Sequence, residues 1–282
     1  MRDDHVRHGD QDSPPAFAHR GDHRGDAALL GRGGLGTLGQ NALVTISPPV
    51  VEELGSRLGA LDWVTDLLVG GSVAAGDYTP RISDIDLVAL VDGPVDMARQ
   101  ALLTTLHRGI DEGTGWGLQL GCVYVDGAQL LDLQALHPTW THGALVQRIL
   151  SGVARAELVR HGYAVFGRSP LDVLPAMSDD TLREAARAEL TGYWAWATRR
   201  PRLWLDPVIA DLGLTSMARG RHTLATGELL SKTRAVEHAD APAWLIDQLR
   251  SRRRGEDVTS PRVRTALIAW RDARRTIARA RS

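Results

Sequence analysis

Two aspartates, Asp84 and Asp86, stand in DIDLVALV, a segment whose aliphatic pattern predicts a buried strand. Residues two apart in a strand point to the same face, so both carboxylates project together while Ile85 and Leu87 face the core. Two ionised carboxylates this close repel each other and cannot simply be buried. A hard divalent cation such as Mg²⁺ relieves the conflict, because it takes oxygen ligands and prefers one or two carboxylates together with substrate phosphates. The pair therefore predicts a metal site.

A glycine turn precedes the pair and could hold phosphates. Gly70, Gly71 and Ser72 follow a short aliphatic run. Glycines let backbone N–H groups approach a phosphate closely, a following helix start adds positive dipole, and the serine hydroxyl donates one more hydrogen bond. Turn and carboxylates together suit a nucleoside triphosphate bound through Mg²⁺, with in-line attack on a phosphorus atom. In the alternative interpretation each motif is structural, and one aspartate caps a turn or pairs with Arg81.

The combined stretch GGSVAAGDYTPRISDIDL resembles the signature of the DNA polymerase β-like nucleotidyltransferase superfamily, with eleven residues between Gly-Ser and Asp-x-Asp. The resemblance implies that Ser72 contacts the triphosphate and that Asp84 and Asp86 hold the metal. It also implies a third carboxylate on a later strand, which ligates metal or activates the attacking hydroxyl. Asp126, at the end of the third predicted strand, is the favoured candidate and Asp132 the alternative. A site without this base is the third possibility.

A second stretch, WLDPVIADLGLTSMARGRHTLATGELLSK, resembles the helical C-terminal domain of the streptomycin and spectinomycin adenylyltransferases. In that family Asp-x-x-Leu-Thr-x-x-Arg leads into Thr-Gly-x-x-x-Ser-Lys. The residues that match are Asp211, Leu214, Thr215, Arg219, Thr226, Gly227, Ser231 and Lys232. The resemblance implies that Asp206 and Asp211 help to bind a cationic aminosugar. Asp206 also fits a purely structural role, as the N-cap of a helix whose first residue is proline.

Lys232 is the only lysine of the chain. Ser231 is a good N-cap residue, so it predicts the start of a helix that carries Lys232 at its positive end. That position favours contact with triphosphate oxygens. The alternative is a solvated surface lysine without a role in binding.

The periodicity of the apolar residues indicates which elements carry these groups. From about residue 43 it predicts helix, strand, turn, strand, helix and strand, an α/β module with a small mixed sheet. After LHPTW, the segment 143–162 predicts a helix, and the remaining sequence predicts only helices. We therefore predict a flexible tail over residues 1–42, a nucleotidyltransferase domain over residues 43–138 and an all-helical domain over residues 139–282.

The composition of the chain narrows the classes of partner. Its 282 residues carry a formal net charge of -1, which gives no general attraction to nucleic acid or membranes. No apolar run reaches the roughly 18 residues that span a bilayer. The single cysteine fits a reducing compartment. We expect a cytoplasmic monomer whose partners are a nucleoside triphosphate and a small-molecule acceptor, without membrane or nucleic acid.

These observations predict an enzyme, a Mg²⁺-dependent nucleotidyltransferase that moves AMP from ATP to a hydroxyl of a small acceptor such as an aminoglycoside. Its predicted site residues are Asp84, Asp86 and Asp126 for catalysis, Gly71, Ser72 and Lys232 for the nucleotide, and Asp206 and Asp211 for the acceptor. The alternative is an antitoxin-like or regulatory nucleotidyltransferase that acts on a protein or RNA partner. The long helical half argues against that alternative, because minimal antitoxin-type members usually lack one.

Overall fold

A computed structural model describes residues 47–282, and the predicted tail over residues 1–42 lies outside this part of the chain. The first half builds a six-stranded mixed sheet with the strand order β5-β4-β3-β2-β1-β6. Its strands are β1 (Val64–Val69), β2 (Asp84–Val91), β3 (Gln119–Asp126), β4 (Leu136–Thr141), β5 (Ala144–Ile149) and β6 (Tyr163–Phe166). Strands β2 and β3 run parallel, and the other neighbouring pairs are antiparallel.

Helices cover the two faces of this sheet unequally. The helices of this half are α1 (Pro49–Gly59), α2 (Gly71–Ala74), α3 (Met97–Glu112) and α4 (Gly152–His161). Helices α1 and α3 pack on the face that carries Ile85 and Leu87, and the buried side chains there form an apolar core. Val88 and Leu90 lie on the opposite face and pack with Leu158 of α4. We call the first the helix face and the second the cleft face.

The sheet extends further along the chain than the sequence predicts. The segment 143–162, expected to be one helix, begins as strand β5 and becomes helical only at Gly152. His142 and Gly143 both have positive φ, at 49° and 72°, which is the conformation of a two-residue hairpin turn. Leu145 and Ile149 are four residues apart, a spacing that suits a helix and also one face of a strand. The predicted domain boundary between residues 138 and 139 falls within β4, and the sheet continues to Phe166.

The second half is helical, as predicted. It contains α5 (Pro170–Val173), α6 (Asp179–Glu189), a π-helical turn (Leu190–Trp194), α7 (Ala195–Thr198), a 3₁₀ turn (Pro201–Leu205), α8 (Pro207–Thr226), α9 (Lys232–Glu237), α10 (Ala243–Arg253) and α11 (Arg262–Arg281). Buried side chains from the π-helical turn and from α7, α8, α10 and α11 form its core. Ser178, Asp206 and Ser231 cap α6, α8 and α9 through side-chain oxygens. Within residues 47–282, no helix is both long and apolar enough to cross a membrane.

Candidate active site

Asp84 and Asp86 lie at the start of β2 on the cleft face. Ile85 and Leu87, between and after them, are buried in the core of the helix face. Asp84 is partly exposed and Asp86 is exposed, so both carboxylates are open to the cleft above the sheet. The structure therefore places the pair together on an accessible surface, in the arrangement that their spacing predicts.

The glycine turn packs directly against this pair. The Gly70 N–H donates to the Asp86 carbonyl at 2.9 Å, and the Ser72 hydroxyl donates to the Asp84 carbonyl at 3.3 Å. Gly71 has a φ of +56°, and a Cβ atom there would lie 2.1 Å from Oδ2 of Asp86. A side chain at this position would therefore collide with the carboxylate, in addition to the strain that positive φ imposes on L residues.

Lys232 reaches the pair from the helical half. It is the first residue of α9, directly after its N-cap Ser231, whose side chain accepts a hydrogen bond from the Arg234 N–H. The ammonium Nζ lies 3.6 Å from Oδ2 of Asp84. The only lysine of the chain thus stands at the carboxylate pair, which is one side of the cleft between the two halves.

A second charged group beside the pair is centred on Arg219 of α8. Its Nε donates to the Leu230 carbonyl at 2.7 Å, and its Nη2 bonds to the carboxylate of Glu157 on α4. Burial disfavours the charge of this guanidinium, yet the adjacent Glu157, Glu189 and Asp86 carboxylates raise the pKa of Arg219. Arg219 therefore stays cationic deep in the cleft and offsets the negative charge of the carboxylates around it.

The environment of the pair shifts the pKa of Asp86. Desolvation by the surrounding protein raises the pKa of the Asp86 carboxyl to about 6. The negative charges of Asp84 and Glu157 also raise this pKa, whereas the positive charges of Lys232 and Arg219 lower it. Asp86 remains in contact with solvent although protein surrounds it on several sides. A cation between the two carboxylates would remove this repulsion. Gly71 leaves room for the Asp86 carboxylate, and the oxygen-only donor set fits Mg²⁺ held by Asp84, Asp86 and phosphate oxygens.

Strand β3 supplies no carboxylate beside the pair. In the parallel register Asp84 lies opposite Gln119, and Asp86 lies opposite Gly121. Directly paired residues of parallel strands face the same side, so these are the β3 positions that border the cleft. Within residues 47–282, no three His, Cys, Asp or Glu side chains are grouped so that they could hold a metal ion. Within the described residues, the site therefore brings together the two carboxylates of β2 and no carboxylate of β3.

Asp126 does not complete the site. It pairs with Val91 at the other end of β2, five residues beyond Gly121, which corresponds to about 17 Å along a strand. It also shares the helix face with Tyr124, and its side chain accepts a hydrogen bond from the Ala128 N–H at 3.0 Å. The register thus places Asp126, the predicted catalytic base, at the opposite end of β3 from the carboxylate pair. It borders a separate cavity of about 190 Å³, which His137 and Gln147 also line.

The alternative, Asp132, is likewise engaged elsewhere. Its side chain accepts a hydrogen bond from the Gln134 N–H at 2.8 Å in the exposed connection between β3 and β4. Its carbonyl accepts a bond from Arg155. Of the three possibilities for the third carboxylate, the geometry of β3 favours a site that lacks it.

The two predicted acceptor residues already have structural partners. Asp206 is the N-cap of α8 and accepts a hydrogen bond from the Val208 N–H at 2.9 Å. Asp211 accepts two hydrogen bonds from Arg252, at 2.6 and 3.0 Å. Neither carboxylate is thus free to meet a cationic ligand without giving up a contact that holds the helical half together.

Sequence reasoning missed two carboxylates at the cleft, Glu157 and Glu189. Burial raises the pKa of Glu189, and its charge acts on Arg219. Glu189 directly precedes the π-helical turn, a distortion that is frequent at functional sites. The sequence offers no signal for either residue, because isolated glutamates on helices are common and their partners are distant along the chain.

Comparisons with known proteins bear on the fold and the class of enzyme. Residues 50–119 match the family model of the nucleotidyltransferase domain. Among solved structures, the chain is similar to spectinomycin adenyltransferase AAD(9) from Enterococcus faecialis, determined with ATP and spectinomycin, at a TM-score of 0.62 and 13% identity over 81% of this chain and 98% of that chain. No curated protein matches the chain. The predictions of this fold and of a nucleotidyltransferase enzyme are therefore confirmed.

Proposed function

We propose that this nucleotidyltransferase depends on Mg²⁺ and transfers AMP from ATP to a hydroxyl group of a small acceptor such as an aminoglycoside. The observation that carries the proposal is the meeting of Asp84 and Lys232, whose side chains come from different halves and lie 3.6 Å apart. A metal-binding carboxylate and a phosphate-binding ammonium at this distance match the two charges that a metal–triphosphate complex presents. The two halves meet at this pair, which is where both substrates would bind.

Each residue of the site has a distinct role in the proposed reaction. Asp84 and Asp86 hold Mg²⁺, which when bound neutralises phosphate charge and orients the triphosphate. Lys232 and the backbone N–H groups that follow Gly70 hold the phosphate oxygens, and the Ser72 hydroxyl can turn from the Asp84 carbonyl toward them. Arg219, kept cationic by Glu157, balances the negative charge of the bound nucleotide.

Transfer requires an acceptor oxygen in line with the α-phosphorus. The acceptor oxygen bonds to this phosphorus while the bond to the β-phosphate bridging oxygen breaks, and pyrophosphate leaves. Because Gln119 and Gly121 offer no carboxylate beside Asp86, the hydroxyl proton passes to water in the open cleft. Chemistry then depends mainly on positioning and on charge stabilisation.

The choice of acceptor rests on the helical half. The similar spectinomycin adenyltransferase was determined with ATP and spectinomycin, and the similarity covers both halves of this chain. Asp206 and Asp211 are occupied within the fold, so Glu189 is the cleft carboxylate that we assign to a cationic acceptor. The antitoxin-like alternative has no contact in its favour, because Lys232 makes the helical half part of the nucleotide site.

The proposal is tested by transfer of label from ATP that carries ³²P on its α-phosphate, with Mg²⁺ and a panel of aminoglycosides. Groups that hydrogen-bond to the ligands of a metal typically contribute about 10–100-fold to activity, so we expect Asp84→Ala, the loss of a direct ligand, to lower transfer by more than about 100-fold. Asp92→Ala is the matched control, because Asp92 is an exposed aspartate just beyond the other end of β2. Equal transfer by wild type and Asp84→Ala would refute the proposed role of the pair, and so would full activity in excess EDTA.

A further inference from the structure

The loop between the glycine turn and β2 is joined to the helical half by a cluster of hydrogen bonds, which we call the cross-domain latch. Its members are Asp77 and Ser83 in the loop, Thr233 on α9 and Arg253 at the end of α10. The site described above makes no use of these four residues. Two of them, Ser83 and Thr233, directly adjoin residues of the site in the sequence.

Arg253 is the centre of the latch and donates four hydrogen bonds. Its Nη2 donates to the carbonyl of Asp77 at 2.7 Å and to Oδ2 of the same residue at 3.2 Å. Its Nη1 donates to the Ser83 hydroxyl at 3.0 Å, and its Nε donates to the Thr233 hydroxyl at 3.1 Å. One guanidinium therefore contacts both ends of the loop and the first turn of α9, a geometry that requires the planar fork of arginine.

Asp77 closes the latch from the loop side. Its Oδ2 accepts a second hydrogen bond, from the Thr233 N–H at 3.0 Å. The Asp77 and Arg253 side chains are only 15% and 13% exposed, so solvent screens this ion pair much less than the surface pairs of the chain. Although burial disfavours its charge, the bonds from Thr233 and the charge of Arg253 lower the pKa of Asp77. The carboxylate is therefore ionised at neutral pH.

The latch borders the nucleotide site on both sides of the cleft. Ser83 directly precedes Asp84, and Thr233 directly follows Lys232. A displacement of either latch residue is passed through one peptide unit to the carboxylate or to the lysine. The ion pair between Asp84 and Lys232 is itself long, at 3.6 Å, and both side chains are about one-third exposed. Such a pair contributes little to stability by itself. The shorter and more buried contacts of the latch therefore set its geometry.

We infer that Asp77 and Arg253 are positioning residues of the nucleotide site, which fix Lys232 of the helical half over the metal-binding pair of the sheet. The inference rests on the proposed function and adds to it a set of contacts that hold the two halves in a fixed relative position. The effect of the latch on catalysis is transmitted through the placement of Lys232.

The test is the affinity for Mg²⁺·ATP, measured by calorimetry on the full chain, together with the thermal unfolding midpoint. Arg253→Lys keeps the charge but cannot make the four bonds, and we expect it to bind Mg²⁺·ATP about tenfold more weakly. Asp77→Asn keeps an acceptor oxygen and is expected to show a smaller loss. Arg254→Ala is the matched control, because within residues 47–282 the Arg254 side chain bonds to its sequence neighbours Glu256 and Ser251, and we expect wild-type affinity.

A double-mutant cycle separates positioning from general stability. If the latch acts through Lys232, then Arg253→Lys should weaken binding further by less than about twofold once Lys232→Ala is present. The inference is overturned if the two losses multiply, or if Arg253→Lys binds as wild type does. A wild-type chain that fails to bind Mg²⁺·ATP gives a different result, which overturns the proposed function and the latch with it.

Discussion

Each face of the central sheet carries a titratable group whose pKa is shifted by desolvation, and the two shifts have opposite consequences. On the helix face, His107 of α3 is fully buried, bonds through Nε2 to the Tyr124 hydroxyl at 2.6 Å and stacks on Trp140. Burial lowers its pKa to about 3, so it is neutral at pH 7. On the cleft face, burial raises the pKa of Asp86 to about 6, yet this carboxylate still reaches solvent.

This difference teaches how one strand serves both packing and chemistry. The helix face excludes water and keeps its polar groups neutral, which costs least in an apolar core. The cleft face holds carboxylates at close range and relies on cations from the helical half to balance them. Val88 and Leu90 continue the cleft face as ordinary core residues, so the polar part is confined to the end of β2 beside the glycine turn.

Among the tests of this contrast between the faces, the largest effect is expected from adding a methyl group on the cleft face. Gly71→Ala places a Cβ atom 2.1 Å from Oδ2 of Asp86, so the carboxylate must move. A displacement of about 1 Å in a catalytic group can lower the rate by about 100-fold, and we expect a loss of that order in AMP transfer. Transfer and thermal unfolding are measured on the same preparations.

Gly76→Ala is the control for Gly71→Ala. Gly76 also has positive φ, at +67°, but a Cβ atom there would have nothing within 4 Å. Both variants should lose about 1–2 kcal/mol of stability from the backbone conformation. Only Gly71→Ala should lose activity beyond this, and equal activities in the two variants would show that the contact with Asp86 does not matter.

A smaller effect is expected on the helix face, in the pH dependence of stability. The pKa of His107 is about 3 in the folded state and about 6.5 unfolded, so the unfolded state binds more protons between these values. The free energy of unfolding therefore falls as the pH drops below 6.5, by up to about 1.4 kcal/mol per pH unit from this group. His107→Gln removes the titration and keeps a side chain that can bond to the Tyr124 hydroxyl.

The measurement for His107 is urea unfolding at several pH values between 6.5 and 4. Other groups contribute to the slope in both proteins, so the difference between wild type and His107→Gln isolates the histidine. We expect the slope of the variant to be lower by about 1 kcal/mol per pH unit. Parallel slopes would mean that His107 protonates in the folded protein, and the contrast between the two faces would lose its basis.

Much of the site was predictable because its signals are local. The bounds of β2, the shared face of Asp84 and Asp86, and the caps at Ser178, Asp206 and Ser231 all follow from spacings of a few residues. The resemblance to the adenylyltransferases pointed to Lys232, although no local pattern places it beside Asp84. Strand β5 was missed because its apolar spacing also suits a helix, and its tight turn was overlooked.

The contacts that join the halves could not be predicted from the sequence. Arg253 and Asp77 are 176 residues apart, and nothing in either neighbourhood selects the other. Glu157 and Arg219 are 62 residues apart on helices from different halves. Such contacts depend on how whole helices and strands pack against each other. Residue propensity and the periodicity of apolar residues do not predict that packing.

The smallest expected effect, from Asp126→Asn, tests the register that assigns Asp126 to the helix face. One residue of slip between β2 and β3 would turn every β3 side chain to the other face. Asn keeps the oxygen that accepts the Ala128 N–H, so we expect unchanged kcat and little change in stability. Loss of a general base would lower kcat by about 100-fold or more. Asp126 is about 17 Å along the strand from Gly121, so a 100-fold loss of kcat in Asp126→Asn would require a different pairing of β2 with β3. In that case the conclusion that chemistry lies on one face of the sheet and packing on the other would be wrong.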